Sequence, residues 1–188
     1  MRTSRSFPSC LILMLFAALV AQSLNAEEKA IEQYSASIMI VGSAKGRTPI
    51  TIRIFSYTPD EEVAKLAELL KTKGQDAVAD AIWKTARGHI APVGGVGIDI
   101  NYARVLNTEK GKVIRMVSAR QMPFWEQSSG RPSTDYPFSI LDLTIGSDGR
   151  MEGKVIAKAK VEINKENVLQ LNSYGSQTII LNNIKKDD

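Results

Sequence analysis

Apolar residues recur at every second position over most of the chain, and this pattern constrains the fold more than any other feature. It covers residues 34–57 and returns between residues 96 and 184. β-Branched residues spaced two apart are typical of strands that bury one face. Turns join the predicted strands over short distances, as in the Asp-Gly turn at residues 147–150, and short connections make neighbouring strands antiparallel. We therefore predict an antiparallel, strongly curved sheet or barrel of about eight strands.

Between these two regions the apolar residues follow a helical period. Thr58 and Pro59 precede an acidic turn, which is typical of a capped helix N-terminus. Gly74 divides the segment, and we expect the second helix to end immediately before Gly88 as its cap. A link this short folds the two helices back on each other. The sequence predicts an α+β domain with a helical hairpin inserted over about residues 59–87.

The alternation also predicts which side chains share a face of a strand. After residue 95, one face carries Val96, Ile98, Ile100 and Tyr102. In a later strand, the apolar face carries Val155, Ala157, Ala159 and Val161, and the opposite face carries Lys154, Lys158 and Lys160. We interpret the lysine face as the solvent side of that strand, where cations discourage pairing with other chains.

Residues 1–26 have the layout of a secretory signal peptide. Arg2 and Arg5 precede an uncharged, largely apolar run, and small or polar residues follow up to Ala26. The run is shorter than the roughly 20 apolar residues that span a bilayer core. We expect cleavage after Ala26, with Ala21 as the alternative. The product would be one soluble domain over residues 27–188, secreted or periplasmic and without a membrane span.

Cleavage at that point would change the charge and the cysteine content of the chain. The formal net charge of +4 falls to +2 when the two arginines are lost, and a charge this small does not favour nucleic acid as a partner. Cys10, the only cysteine, is lost as well, which removes disulfide and thiolate chemistry. Zinc sites usually need more than one histidine or cysteine. We expect no cofactor and no metal.

The stretch RGHIAPVGGVG at residues 87–97 contains the only histidine, His89. Glycine loops that bind phosphate run from a strand into a helix N-terminus, whereas these glycines follow a predicted helix and lead into a strand. We interpret them as a helix cap and a bend. His89 is a candidate general base together with Asp135 or Glu126. Because no serine-nucleophile motif accompanies it, we favour a structural role for His89.

The loop over residues 120–138 is the most promising contact surface. Its candidate binding residues are Arg120, Phe124, Trp125, Glu126, Asp135 and Tyr136. Long loops often carry function, and aromatic rings beside charged groups suit sugar, peptide or protein partners. In the alternative interpretation, the rings fold back and plug the open end of the sheet.

These features favour an exported, non-enzymatic binding or interaction module for an unknown ligand or protein partner. Two alternatives stay open. One is a metal-independent hydrolase or isomerase that uses His89 with a nearby carboxylate. The other is a small-molecule carrier with a cavity inside the barrel.

Three segments of the sequence resemble a family of secreted bacterial proteins of unassigned function. They are GHIAPVGGVGIDINYARV, STDYPFSILDLTI and LQLNSYGSQTIILNNIKK. The resemblance covers most of residues 50–185. It implies export from a bacterium and a single domain, and it brings no activity, cofactor or site residue with it.

Overall fold

A computed structural model describes residues 29–42, 46–109, 111–120, 135–163, 169–173 and 178–187. The expected signal peptide, residues 1–26, lies outside these ranges. Within them the chain forms ten strands and two helices, in this order: β1 (Glu32–Ile40), β2 (Thr48–Ile54), α1 (Asp60–Lys73), α2 (Gln75–Ile82), β3 (Gly88–Pro92), β4 (Ile98–Ile100), β5 (Tyr102–Thr108), β6 (Gly111–Ser118), β7 (Phe138–Gly146), β8 (Met151–Ile163), β9 (Leu169–Ser173) and β10 (Ile179–Asp187).

The strands form one antiparallel sheet that curls into a nearly closed barrel. Its order is β4-β3-β2-β1-β10-β8-β7-β6-β5, and β9 pairs with the far half of β8. β4 and β5 are successive halves of one extended segment, separated by Asn101. The first half pairs with β3 and the second with β6, and the Asn101 N–H donates to Val117 O at 2.8 Å. This segment therefore joins the two ends of the sheet.

The predicted α+β class and the antiparallel, curved sheet with a helical hairpin are confirmed. Within the described ranges the sheet has ten strands, compared with about eight in the prediction, for two reasons. β3 lies in the stretch that we interpreted as a junction, and the strand expected after residue 95 is divided at Asn101. None of the helices in the described ranges combines the length and the apolar character that crossing a membrane requires.

Apolar side chains form two separate clusters, one on each face of the sheet. The first fills the barrel interior and includes Tyr34, Ile52, Ile90, Ile114, Met116 and Leu143. The second lies between the outer face and the helices and includes Leu66, Val78, Ile82, Tyr102, Phe138, Ile140 and Ala159. The helical hairpin thus covers the outside of β5 to β8, and the barrel interior is filled by its own strands.

The alternation between interior-facing and outward-facing residues shifts by one position at Asn101. Ile98 and Ile100 point into the barrel, and Ala103 also belongs to the interior cluster. Tyr102 packs against the helices instead, so its expected position on the face of Ile100 was wrong. Val96 was also misplaced, because it precedes β4 and is 90% exposed.

A β-bulge changes the faces of β8 in the same way. Phe138 pairs with Ala159 and Ile140 pairs with Ile156, so Ser139 lies opposite two residues, Ala157 and Lys158. Beyond this point the apolar side chains of β8 pack against the helices instead of the interior. Lys158 is only 3% exposed, and the expectation that it lies on the solvent face with Lys154 was wrong.

The helical hairpin begins at Asp60, close to the predicted residue 59, but it ends earlier than predicted. α2 ends at Ile82, well before Gly88, which is the first residue of β3 and not a helix cap. Thr58 makes no capping hydrogen bond to α1. Its hydroxyl instead accepts a hydrogen bond from the Ala103 N–H at 3.1 Å, and its own N–H donates to Ala103 O at 2.7 Å. The chain before α1 is therefore attached to β5.

The absence of a side chain at Gly88 is required by the approach of β3 to β2. A Cβ atom at this position would lie 2.4 Å from the backbone oxygen of Arg53. Backbone cannot move aside as the end of a flexible side chain can, so the pairing of the two strands would have to distort. Gly94, by contrast, has a φ of 74° and serves a turn between β3 and β4.

We expect the substitution Gly88→Ala to lower the free energy of unfolding by about 1–3 kcal/mol, the usual cost of overpacking a buried site. Urea denaturation followed by circular dichroism measures this change. Gly46→Ala is the matched control, because a Cβ there meets nothing within 4 Å and the change should stay within about 0.5 kcal/mol. Equal stability of the two variants would contradict the close approach at Gly88.

Candidate functional site

The described ends of the 120–138 loop lie against helix α2. Arg120 is exposed just after β6, and Asp135 and Tyr136 precede β7. Gln75, the first residue of α2, donates from its Nε2 atom to Asp135 O at 3.0 Å. The predicted site residues Phe124, Trp125 and Glu126 lie outside the described residues. Both ends of the loop therefore belong to the surface that surrounds α2.

A concave surface of about 410 Å³ lies where the loop leaves the sheet. We call it the Trp83 concavity. Its walls are formed by Asp76, Asp80 and Trp83 on one side and by Arg120 and Pro137 on the other. Residues 76, 80 and 83 are spaced four and three apart, so they share one face of the helix and the turn that follows it. Trp83 is 54% exposed, although large aromatic side chains are highly buried on average.

The charged groups of the Trp83 concavity are available to solvent. Within the described residues, Asp76, Asp80 and Arg120 make no ion pair and no side-chain hydrogen bond. Two carboxylates four residues apart destabilise an isolated helix by a few tenths of a kcal/mol, roughly 0.2–0.5. Asp76 is partly compensated because it lies in the first turn of α2. The carboxylates of Asp76 and Asp80 therefore repel each other, and no packing contact among the described residues requires them to be there.

Asn101 holds the two walls of the Trp83 concavity together. Its side-chain Nδ2 donates to Trp83 O at 3.3 Å and to Thr85 O at 2.8 Å, immediately after α2. Its Oδ1 accepts from the Ala119 N–H at 2.8 Å, next to Arg120. The residue is 4% exposed, its bond to the Ala119 N–H is buried, and its two bonds to carbonyls are partly buried. A single amide therefore sets the position of Trp83 relative to the end of β6.

A second concavity, of about 800 Å³, lies on the other side of the α2 N-terminus. It separates the turn between the helices from β8 and β9, and its charged lining residues are Lys71, Lys73, Asp76, Lys160 and Glu162. Lys160 and Glu162 form an ion pair, and the hydrogen bond from Lys160 to that carboxylate raises the pKa of Lys160.

Gln75 connects the helix to β8 across this second concavity. Its Oε1 accepts from the Val161 N–H at 3.2 Å, and its Nε2 reaches Asp135 O. Asp76, the next residue, lines both concavities. The two concavities therefore flank the start of α2 and share one carboxylate.

His89 lies on β3, opposite Asp99 of β4, and not in a junction after a helix. Its Nδ1 is 3.1 Å from Asp99 Oδ1, and both side chains are exposed. The predicted partners are placed elsewhere, because Asp135 lies beside Gln75 and Glu126 is outside the described residues. The carboxylate that orients the imidazole is thus a cross-strand neighbour that the sequence pattern did not identify.

A polar cluster occupies one end of the barrel interior. Tyr34 is fully buried and donates its hydroxyl to Glu32, while Lys186 Nζ lies 3.8 Å from the same carboxylate. The Tyr57 hydroxyl is buried without a hydrogen bond of normal geometry in the described residues, although Glu32 acts on it electrostatically. Burial, with a smaller contribution from Glu32, raises the pKa of both phenols well above the ordinary value. Both phenols are therefore neutral at physiological pH.

Two residues of the site escaped the sequence analysis. Asn101 occupies a position in an alternating strand where a polar side chain is expected to face solvent. Asp76, Asp80 and Trp83 are spaced i, i+4 and i+7, which places them on one side of the helix. Val78 and Ile82 lie on the opposite, apolar side. The stripe of Asp76, Asp80 and Trp83 was visible in the sequence.

Across the part of the chain that the structure describes, no group of three or more histidine, cysteine or acidic residues could hold a metal ion.

We expect Asn101→Ala to destabilise the protein by about 2–4 kcal/mol, because it leaves the buried Ala119 N–H and two partly buried carbonyl groups without partners. Asn172→Ala removes only an exposed bond to Glu162 and should cost less than about 0.5 kcal/mol. Urea denaturation gives both values. Similar losses in the two variants would show that the Asn101 amide does not hold the two walls in place.

Stability should decline at alkaline pH because Tyr34 and Tyr57 are held neutral. In the unfolded chain a phenol ionises near pH 10.0, so above that pH the folded state binds more protons than the unfolded state. The stabilising contribution is complete below pH 10 and is lost as the pH rises further. Urea unfolding at about pH 9 and pH 11 measures the loss.

In Tyr57→Phe the alkaline loss should be smaller than in the parent. Stability at neutral pH should not fall, because the variant removes a buried hydroxyl that lacks a hydrogen bond of normal geometry. An unchanged pH dependence in this variant would contradict the assignment.

No family model, no curated protein and no solved structure matches the chain. Membership of a family of secreted bacterial proteins therefore stays a prediction.

Proposed function

We propose that the protein is an exported, soluble, non-enzymatic binding module. Its contact surface consists of the Trp83 concavity and the 120–138 loop that begins and ends beside it. One observation carries the proposal. A tryptophan that is 54% exposed stands in a concave surface at the point where the aromatic-rich loop leaves the sheet. Aromatic residues in such positions dominate the binding energy of many interfaces.

The energetics of Trp83 support this role. A large aromatic ring carries roughly 150–250 Å² of surface, of which each Å² removed from water contributes about 25 cal/mol. Covering the exposed half of the ring therefore contributes about 2 kcal/mol or more to association. A ring that packed only for stability would be more deeply buried, as Phe138 is in the apolar cluster between the helices and the sheet.

The rigidity of the surface also supports binding. The Trp83 backbone is held on both sides, since its N–H donates to Ala79 O at 3.0 Å and its carbonyl accepts from Asn101. A ligand that contacts Trp83 therefore meets a wall whose backbone is already ordered, which reduces the entropy lost on association.

The chemistry of the lining residues favours binding over catalysis. Among the described residues, the Trp83 concavity is lined by carboxylates, a guanidinium, a tryptophan and small apolar side chains. These groups recognise charge and apolar surface, and they do not constitute a nucleophile with an adjacent base. His89, the candidate base, faces Asp99 in the β3–β4 pair.

Export is part of the proposal because residues 1–26 follow the order of a signal peptide. An exported binding module without disulfides depends on packing for its stability. The filled barrel interior and the helix-covered outer face provide that packing.

We expect Trp83→Ala to reduce retention of the natural ligand by about tenfold or more, as for a hot-spot residue. The immobilised protein is exposed to periplasmic extract, and the retained material is quantified after washing. Because the ring is half exposed, the melting temperature should change by only a few degrees, about 2–4 °C.

Val93→Ala is the matched control. Val93 is 67% exposed in the turn after β3, and its loss should leave retention unchanged. Full retention by Trp83→Ala, or an equal loss in both variants, would contradict the proposed surface.

A further inference from the structure

The Trp83 concavity carries opposite charges on its two walls. The helix wall has the carboxylates of Asp76 and Asp80, and the opposite wall has the guanidinium of Arg120. The lining also includes the ring of Trp83 and the small apolar side chains of Ala79, Ala119 and Pro137. A ligand that fits this lining has a cationic group, an anionic group and an apolar portion.

We propose that the Trp83 concavity binds short peptides with free termini. The inference rests on the proposed binding function and names the ligand class for that site. The terminal ammonium contacts Asp76 and Asp80, the terminal carboxylate contacts Arg120, and an apolar side chain of the peptide covers the Trp83 ring.

The size of the site agrees with such a ligand. At about 410 Å³ the concavity is at the smaller end of the range for small-molecule sites, roughly 300–1,000 Å³. It therefore accommodates a peptide of very few residues, with both charged ends inside the same surface.

The charged groups are poised to act on a ligand because they are not paired with one another. In the described ranges Arg120 forms no ion pair with Asp76 or Asp80, although all three line the same surface. A guanidinium presents a planar fork that matches a carboxylate with two parallel hydrogen bonds.

The position of the charges is set by elements that hold them apart. Asp76 and Asp80 are one turn apart on α2, and Arg120 follows Ala119, whose N–H is bound by Asn101. Because the same Asn101 side chain also binds Trp83 O, the backbones of the two walls are held relative to each other before a ligand arrives. Such preorganisation favours a ligand of defined length.

Fluorescence titration with three related dipeptides tests the proposal. Both tryptophans, Trp83 and Trp125, belong to the proposed contact surface, so the protein is used without substitution and its intrinsic fluorescence reports binding. The protein is titrated with alanyl-leucine, with N-acetyl-alanyl-leucine, which lacks the ammonium, and with alanyl-leucine amide, which lacks the carboxylate. We expect a saturable change with the free dipeptide and about tenfold weaker binding of each blocked form, equivalent to roughly 1.4 kcal/mol per lost charge.

Charge-removing variants then assign each end of the ligand. Arg120→Gln should bind the free dipeptide and its amide equally, and the double variant Asp76→Asn, Asp80→Asn should bind the free and acetylated forms equally. Arg150→Gln is the control, because Arg150 lies in the β7–β8 turn beside Asp148 and should keep both preferences. Circular dichroism confirms that each variant is folded.

Two results would overturn the inference. Equal affinity for all three dipeptides would show that the apolar portion alone is recognised, and the absence of binding by the free dipeptide would exclude the ligand class. In either case, a Trp83-dependent retention of material from extract leaves the binding function in place. If the free dipeptide does not bind and retention from extract does not depend on Trp83, both proposals are contradicted.

Discussion

A single buried side-chain amide connects the parts of this structure that the backbone alone leaves separate. Asn101 lies between β4 and β5, where the extended segment changes partners from β3 to β6, and its own N–H continues the contact to β6. Its side chain binds the chain after α2 and the residue after β6. A buried amide that satisfies several backbone groups at once is worth more than one isolated hydrogen bond, because each of those groups would otherwise be desolvated without a partner. Barrel closure, the helix end and the Trp83 concavity therefore share one anchor.

The sheet could be predicted from the sequence because alternation is a local property of each strand. The Asp-Gly turn at residues 147–150 and the apolar rows of β1 and β2 follow directly from it. The alternation shifts at two points, Asn101 and Lys158, and neither shift could be predicted from the sequence. Whether a strand contains an extra residue depends on the register of its neighbour, which lies far away in the sequence. Tyr102 and Lys158 were consequently assigned to the wrong face, although the strands that contain them were recognised.

The site shows the same division between local and long-range information. The charged and aromatic composition of residues 120–138 pointed to this region. Both described ends of that loop do lie beside α2: Arg120 lines the Trp83 concavity, and the Asp135 carbonyl accepts a hydrogen bond from Gln75. Trp83 lies on the polar face of α2, opposite Val78 and Ile82, so the helical period alone is consistent with its exposure. Its place in a site was missed because the residues across the concavity, Ala119, Arg120 and Pro137, are distant in the sequence.

The pairing of β1 with β10 joins segments that are about 150 residues apart, and every other strand of the barrel lies between them in the chain. A polypeptide still lacking its last described strand has no partner for one side of β1 or for the first half of β8. Such open strand edges can pair with other molecules. Contacts between residues that are far apart in the sequence, such as those of β1 with β10, form slowly. Closing the sheet therefore requires the chain through β10. We expect a chain truncated before residue 178 to keep these edges open and to associate with its own copies.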